Sequence, residues 1–167
     1  GLFKPNIYGL VPCNNRNPKL DNYNCNEKDP GKKDFRKSYV KGEDVLDANI
    51  TDNGDGTITM VIQPKAAEMS MRGEDSQGDF FEVLGDISAT VAQIDVISFA
   101  QGTAEDNIKV TYKGGTVTCT INTKTKEITK AEYDMVAEVA VNHANVAVIK
   151  DKSASLLIKY KNTFPAS

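Results

Sequence analysis

At 167 residues the chain is long enough to bury one sizeable core and short enough for a single domain. Twenty Lys and Arg against 23 Asp and Glu give a net charge of −3 with no run of like charges, which leaves no basic face for nucleic acid. No apolar stretch approaches the ~20 residues that a membrane-spanning helix needs.

The chain begins at Gly1 instead of Met, so we expect a targeting segment upstream, with a lipid anchor as one option for the missing N-terminus. From Gly9 to Glu43, Asn, Asp, Lys, Pro and Gly crowd out the aliphatic residues, and residues 1–44 read as an irregular segment that apolar burial alone cannot fold. Cys13 and Cys25 fall within it, with eleven residues between them and no nearby His, which is not a zinc spacing. A disulfide between them would stabilise the segment by roughly 2–4 kcal/mol. It would also place the chain in an oxidising compartment: extracellular, periplasmic or at the cell surface.

Residues 45–167 read as the folded domain. Two strands are expected over 45–63, with Ile50 near the end of the first and Thr57 to Ile62 forming the second. Between them lies Thr51-Asp-Asn-Gly-Asp-Gly56, which resembles a calcium loop in composition. With Gly56 as loop position 6, Asn53 and Asp55 occupy ligand positions, but position 1 falls on Thr51 and the closing carboxylate position on Ile62. Asn53 and Asp55 therefore make at most a weak cation candidate. The stronger expectation is a hairpin tip, where Asn-Gly and Asp-Gly supply positive-φ positions. Pro64 ends the pair of strands because it cannot donate to a ladder.

Residues 66–78 show no clear period and read as a surface connection. Over 79–95, Phe80, Leu84, Ile87, Val91 and Ile94 recur at helical spacing, and one amphipathic helix is expected there, capped by Asp79 with Glu82. The period then changes to two. Ile108, Val110 and Tyr112, then Gly114-Gly115, then Val117, Cys119 and Ile121 predict a hairpin pairing 112 with 117, 110 with 119 and 108 with 121. Cys119 points inward in this pattern, as a small buried hydrophobe. A turn over 122–126 leads to a long half-buried strand carrying Ala131, Tyr133, Met135, Ala137, Val139 and Val141. Thr129 with Glu132 offers a helix start as the alternative. A turn over 142–145 places His143 at a loop tip, followed by strands over 146–149 and 155–161.

The fold class expected is α+β: one amphipathic helix on a curved, mainly antiparallel sheet, ordered β-β-α and then a meander. No nucleophile-base set, phosphate loop or zinc signature is present, so neither a cofactor nor a catalytic residue is expected. The carboxylate pairs Asp52/Asp55 and Glu74/Asp75 sit in expected loops and give only a weak case for a hydrolase. The expectation is a non-catalytic exported or cell-surface protein that binds a ligand or protein partner the sequence does not identify. The alternative is a carrier of a small apolar ligand between helix and sheet.

Overall fold

The computed structural model describes residues 40–71, 73–81 and 83–164. The expected Cys13–Cys25 disulfide and the Glu82 half of the expected capping pair lie outside the described residues. A 3-10 turn, Gly42–Asp44, leads into strands β1 (Val45–Asp52), β2 (Thr57–Pro64) and β3 (Ala67–Glu68). Helices α1 (Ser76–Phe80) and α2 (Ile87–Ala92) follow, then β4 (Ile97–Phe99) and α3 (Ala104–Asn107). The chain closes with β5 (Ile108–Tyr112), β6 (Thr116–Asn122), β7 (Ile128–Val146) and β8 (Ile149–Phe164). The result is an α+β architecture dominated by one eight-stranded sheet, in which every pairing is antiparallel.

Strand β7 organises the sheet. On one side it pairs in succession with β6, β5 and β4, and on the other it pairs with β8 along most of its length. Ala131, Tyr133, Met135, Ala137 and Val139 are buried, whereas the residues between them are not, as the two-residue alternation in the sequence requires. The strand reading of this segment is the one the chain adopts. Tyr133 and Met135 join Ile62, Val110, Tyr112, Val117 and Cys119 in a core that spans β2, β6, β7 and β5.

The expected Gly-Gly hairpin does not form. Ile108 pairs with Val141 and Tyr112 with Ala137, and then Thr116 pairs with Asp134 and Thr120 with Lys130. Strands β5 and β6 therefore lie end to end on the same side of β7, as one bent strand. Gly114 and Gly115, with φ of +92° and +104°, make the bend, and Lys113 N–H still donates to Val136 O at 2.9 Å. Both arrangements put apolar residues opposite apolar residues, so side-chain alternation alone could not separate them. β6 is free to lie beside β2, with Ile62 opposite Val117 and Met60 opposite Cys119, which a simple meander would not allow.

The single helix over 79–95 is likewise replaced by two short ones. Asp75, not Asp79, caps α1, its Oδ1 accepting from the amides of Gln77 and Gly78. The helix stops at Phe81, whose backbone is extended (φ −121°, ψ 162°). Consecutive helical positions point about 100° apart, and the extended backbone at Phe81 gives its side chain a different direction from a helical continuation. Extending the chain sends both rings inward, 1% and 3% exposed, with Phe81 edge-on to Tyr133 at 6.5 Å between ring centroids. Gly85 then takes a left-handed φ of +67°, and Asp86 starts α2 afresh.

The far end of the sheet also departs from expectation. The chain does not turn over 142–145 but continues through two register shifts, with His143 at φ +51° and Asp151 at φ +49°. The turn falls at Ala147 and Val148, inside what reads as a strand over 146–149. The turn after β6 is where expected, its Asn122 Oδ1 accepting from the amides of Lys124 and Thr125. β8 borders β7 alone, and its Lys150, Lys152, Lys159 and Lys161 discourage further edge pairing.

Two core groups carry a test of this packing. Burial pushes the Cys119 thiol up to about 11 from 9.0 and the Tyr112 phenol up to about 12 from 10.0, the latter opposed by the Leu84 N–H that its oxygen accepts. Both folded-state values are raised, so the stability from keeping these groups neutral is complete below the ordinary range and is lost as pH rises through about 11 and 12. Native protein is expected to resist thiol alkylation at pH 8 at Cys119. One tyrosinate absorbance step should appear only near pH 12, and a Tyr112→Phe variant should lack it. Labelling of native Cys119 at the rate of the urea-unfolded protein would contradict the packing.

Candidate binding groove

An open groove of about 860 Å³ lies between α2, α3 and the start of β5. Its apolar lining comes from Met69, Met71, Ala89, Ala92, Ala104 and Ile108. Ile87 and Leu84 of the expected stripe pack against the core, which leaves the small residues Ala89 and Ala92 of α2 to border the groove. Met69 has a positive φ of 49°, which is unusual for a residue with a Cβ. It is held there by a reciprocal pair: its amide donates to Val110 O at 2.9 Å, and the Val110 amide donates to its Sδ at 3.2 Å. A flexible, polarisable thioether is thus fixed at one end and presented to the groove.

The polar lining is Asp86, Ser88, Thr103, Glu105, Asp106 and Lys109. Asp86 Oδ1 accepts from Ser88 Oγ at 2.7 Å and from the Ala89 amide at 3.1 Å. These bonds, that of Ser88 foremost, hold its carboxyl below the ordinary aspartate range. Asp106 accepts from the amide and hydroxyl of Thr103, both at 2.8 Å, and its carboxyl is lowered for the same reason. Lys109 is paired with Glu68 at 2.9 Å. Buried Asn107 ties the loop down by donating to Gln101 O at 2.5 Å and Thr103 O at 2.8 Å. The carboxylates therefore cap helices and brace a loop, and the groove they border is mildly acidic.

The residues singled out from sequence lie elsewhere. Asn53 and Asp55 are at the β1–β2 hairpin tip, where Gly54 and Gly56 take φ of +75° and +85°. Asp52 accepts from the Gly54 amide, Asp55 from the Thr57 amide and hydroxyl, and Asn53 bonds Thr57 and Thr59. The Thr123 amide and hydroxyl both donate to Gly56 O, fastening the tip to the β6–β7 turn. Of the other loop carboxylates, Asp75 is the α1 cap. Among the described residues no group of three or more His, Cys, Asp or Glu side chains is placed to hold a metal ion.

Sequence reading missed one polar pair. His143 Nδ1 lies 2.7 Å from Asp151 Oδ1 across the β7–β8 hairpin, the two left-handed residues having brought their side chains together. Neither a motif nor a spacing rule could have shown it, because it depends on the register shifts. Ser153 is nearby, but its hydroxyl meets the His143 backbone amide at 3.4 Å, not the ring. The pair reads as a staple across a bulge.

Compared with known proteins, the chain matches no family model, no curated protein and no solved structure.

Proposed function

We propose that the chain is a non-catalytic exported or cell-surface binding protein whose ligand occupies the groove between α2, α3 and β5. The observation that carries this reading is the groove itself. Its ~860 Å³ volume falls within the ~300–1,000 Å³ typical of ligand sites. Its lining combines apolar floor residues with polar groups already held by their own hydrogen bonds. Asp86, Glu105 and Asp106 at the groove favour a ligand whose polar end is neutral or cationic.

The alternative, a carrier of a small apolar ligand in a cavity between helix and sheet, has less support where α1 meets the sheet. Phe80, Phe81, Tyr112 and Tyr133 fill the space between α1 and the sheet. A hydrolase built on loop carboxylates is weaker still, since Asp52, Asp55 and Asp75 each accept local backbone amides. Export rests on the expected disulfide between Cys13 and Cys25 in the polar segment of residues 1–44. No described helix is long and apolar enough to cross a membrane.

The test uses Nile red, an uncharged apolar dye. Ala92 is exposed at the end of α2 and lines the groove, so Ala92→Trp fills the site without disturbing the core. Native protein is expected to enhance the dye's fluorescence saturably. Ala92→Trp should weaken binding at least tenfold with an unchanged Tm. No saturable binding by native protein, or undiminished binding by the variant, overturns the reading.

A further inference from the structure

The β7–β8 hairpin ends in apolar residues where turn chemistry asks for polar ones. Val146 pairs with Ile149, which leaves Ala147 and Val148 as the entire loop. Ala147 has φ +51° while Val148 is not in the positive region, and a positive φ at the first loop residue alone is the pattern in which two-residue hairpins place Gly. Val148 is 92% exposed. Val96, Val146 and Ile149 are exposed too, and the β4–β7 pairing of Ile97 with Val146 brings Val96 close to the tip. A strained alanine and an exposed valine contribute nothing to the core. Local rules broken without a folding gain mark functional sites.

What lies behind the tip indicates its partner. Lys150 and Lys152 follow directly on β8, both exposed, and neither has an ion pair among the described residues. Asp151 between them is turned to His143. The remaining nearby acid is Asp95, beside Val96. A two-residue convex tip offers far less than the ~800 Å² per partner of a standard protein interface, and it carries none of the Tyr, Trp or Arg that anchor such contacts. Binding to a bilayer interface scales with the apolar area inserted plus the attraction of cations to anionic headgroups, and a convex aliphatic tip with lysines behind it supplies both for a reversible contact.

We propose that the Val146–Ile149 tip, with Val96, is a membrane-surface contact. Its aliphatic side chains enter the interfacial layer, and Lys150 and Lys152 meet anionic headgroups. This site is separate from the groove and does not depend on the reading of it.

The test is co-sedimentation with vesicles of phosphatidylcholine alone and of phosphatidylcholine with phosphatidylglycerol. The informative variant carries Ala147→Gly and Val148→Ser together, because that dipeptide suits the turn while removing its apolar tip. Native protein is expected to bind the phosphatidylglycerol vesicles, and pure phosphatidylcholine more weakly. The double variant should bind at least tenfold less with a Tm equal or higher. The proposal fails if native protein binds neither vesicle, or if the variant binds as well as native. It fails also if native protein self-associates and the variant is monomeric, which would make the tip a protein contact.

Discussion

Gly115→Ala is expected to destabilise the protein by about 3–5 kcal/mol, or to leave it unfolded, whereas Gly114→Ala should cost only about 1–3 kcal/mol. Both glycines have positive φ, +92° at Gly114 and +104° at Gly115, so both substitutions strain the backbone. They differ in what a Cβ would meet. At Gly114 the nearest atom is Pro64 O at 3.4 Å, an ordinary contact. At Gly115 the Cβ would stand 2.2 Å from Asp134 O and 3.2 Å from the Phe81 ring. Relief would require β6 to move off β7, and with it the row that buries Val117 and Cys119. Urea unfolding of the two variants measures the asymmetry. A free two-residue Gly-Gly loop would show none, so equal losses would favour the hairpin read from sequence over the bent strand.

That pair of glycines shows where the sequence could be read and where it could not. Alternation reports which face a side chain points to, and it placed Tyr133, Met135, Cys119 and Val117 in the core correctly. It is silent about which strand lies alongside, because β5 against β6 and both against β7 satisfy it equally. Turn chemistry located the tips at Asn53–Gly56 and after Asn122, where Asn, Asp and Gly announce themselves. It missed the turn at Ala147–Val148, which has none of these residues. The groove was illegible for a similar reason. Its lining is gathered from α2, α3, β5 and the 69–71 segment, and the alanines that shape it carry no chemical signal until α2 and α3 face each other.

The second large effect tests the break in the helix. A stripe of Phe80, Leu84, Ile87, Val91 and Ile94 on one continuous helix would make Leu84, at its centre, the most costly residue to truncate. The structure instead buries Phe80 at 1% exposure between α1 and the sheet, beside Phe81, and leaves Leu84 only half-buried in the link to α2. Phe80→Ala should therefore cost about 3–5 kcal/mol, the range for an aromatic removed from a packed core. Leu84→Ala should cost less, about 1–2 kcal/mol, because it gives up only part of the ~1.5–3 kcal/mol for a fully buried aliphatic. The hydrogen bond from the Leu84 amide to the Tyr112 hydroxyl, at 2.8 Å, survives that substitution because it uses the backbone. Chemical unfolding at constant m-value gives both numbers. If Leu84→Ala loses as much as Phe80→Ala, the segment packs as one helix and the extended backbone at Phe81 is wrong. If the order is as stated, Phe80 belongs to the core and Leu84 to the half-buried link between two short helices.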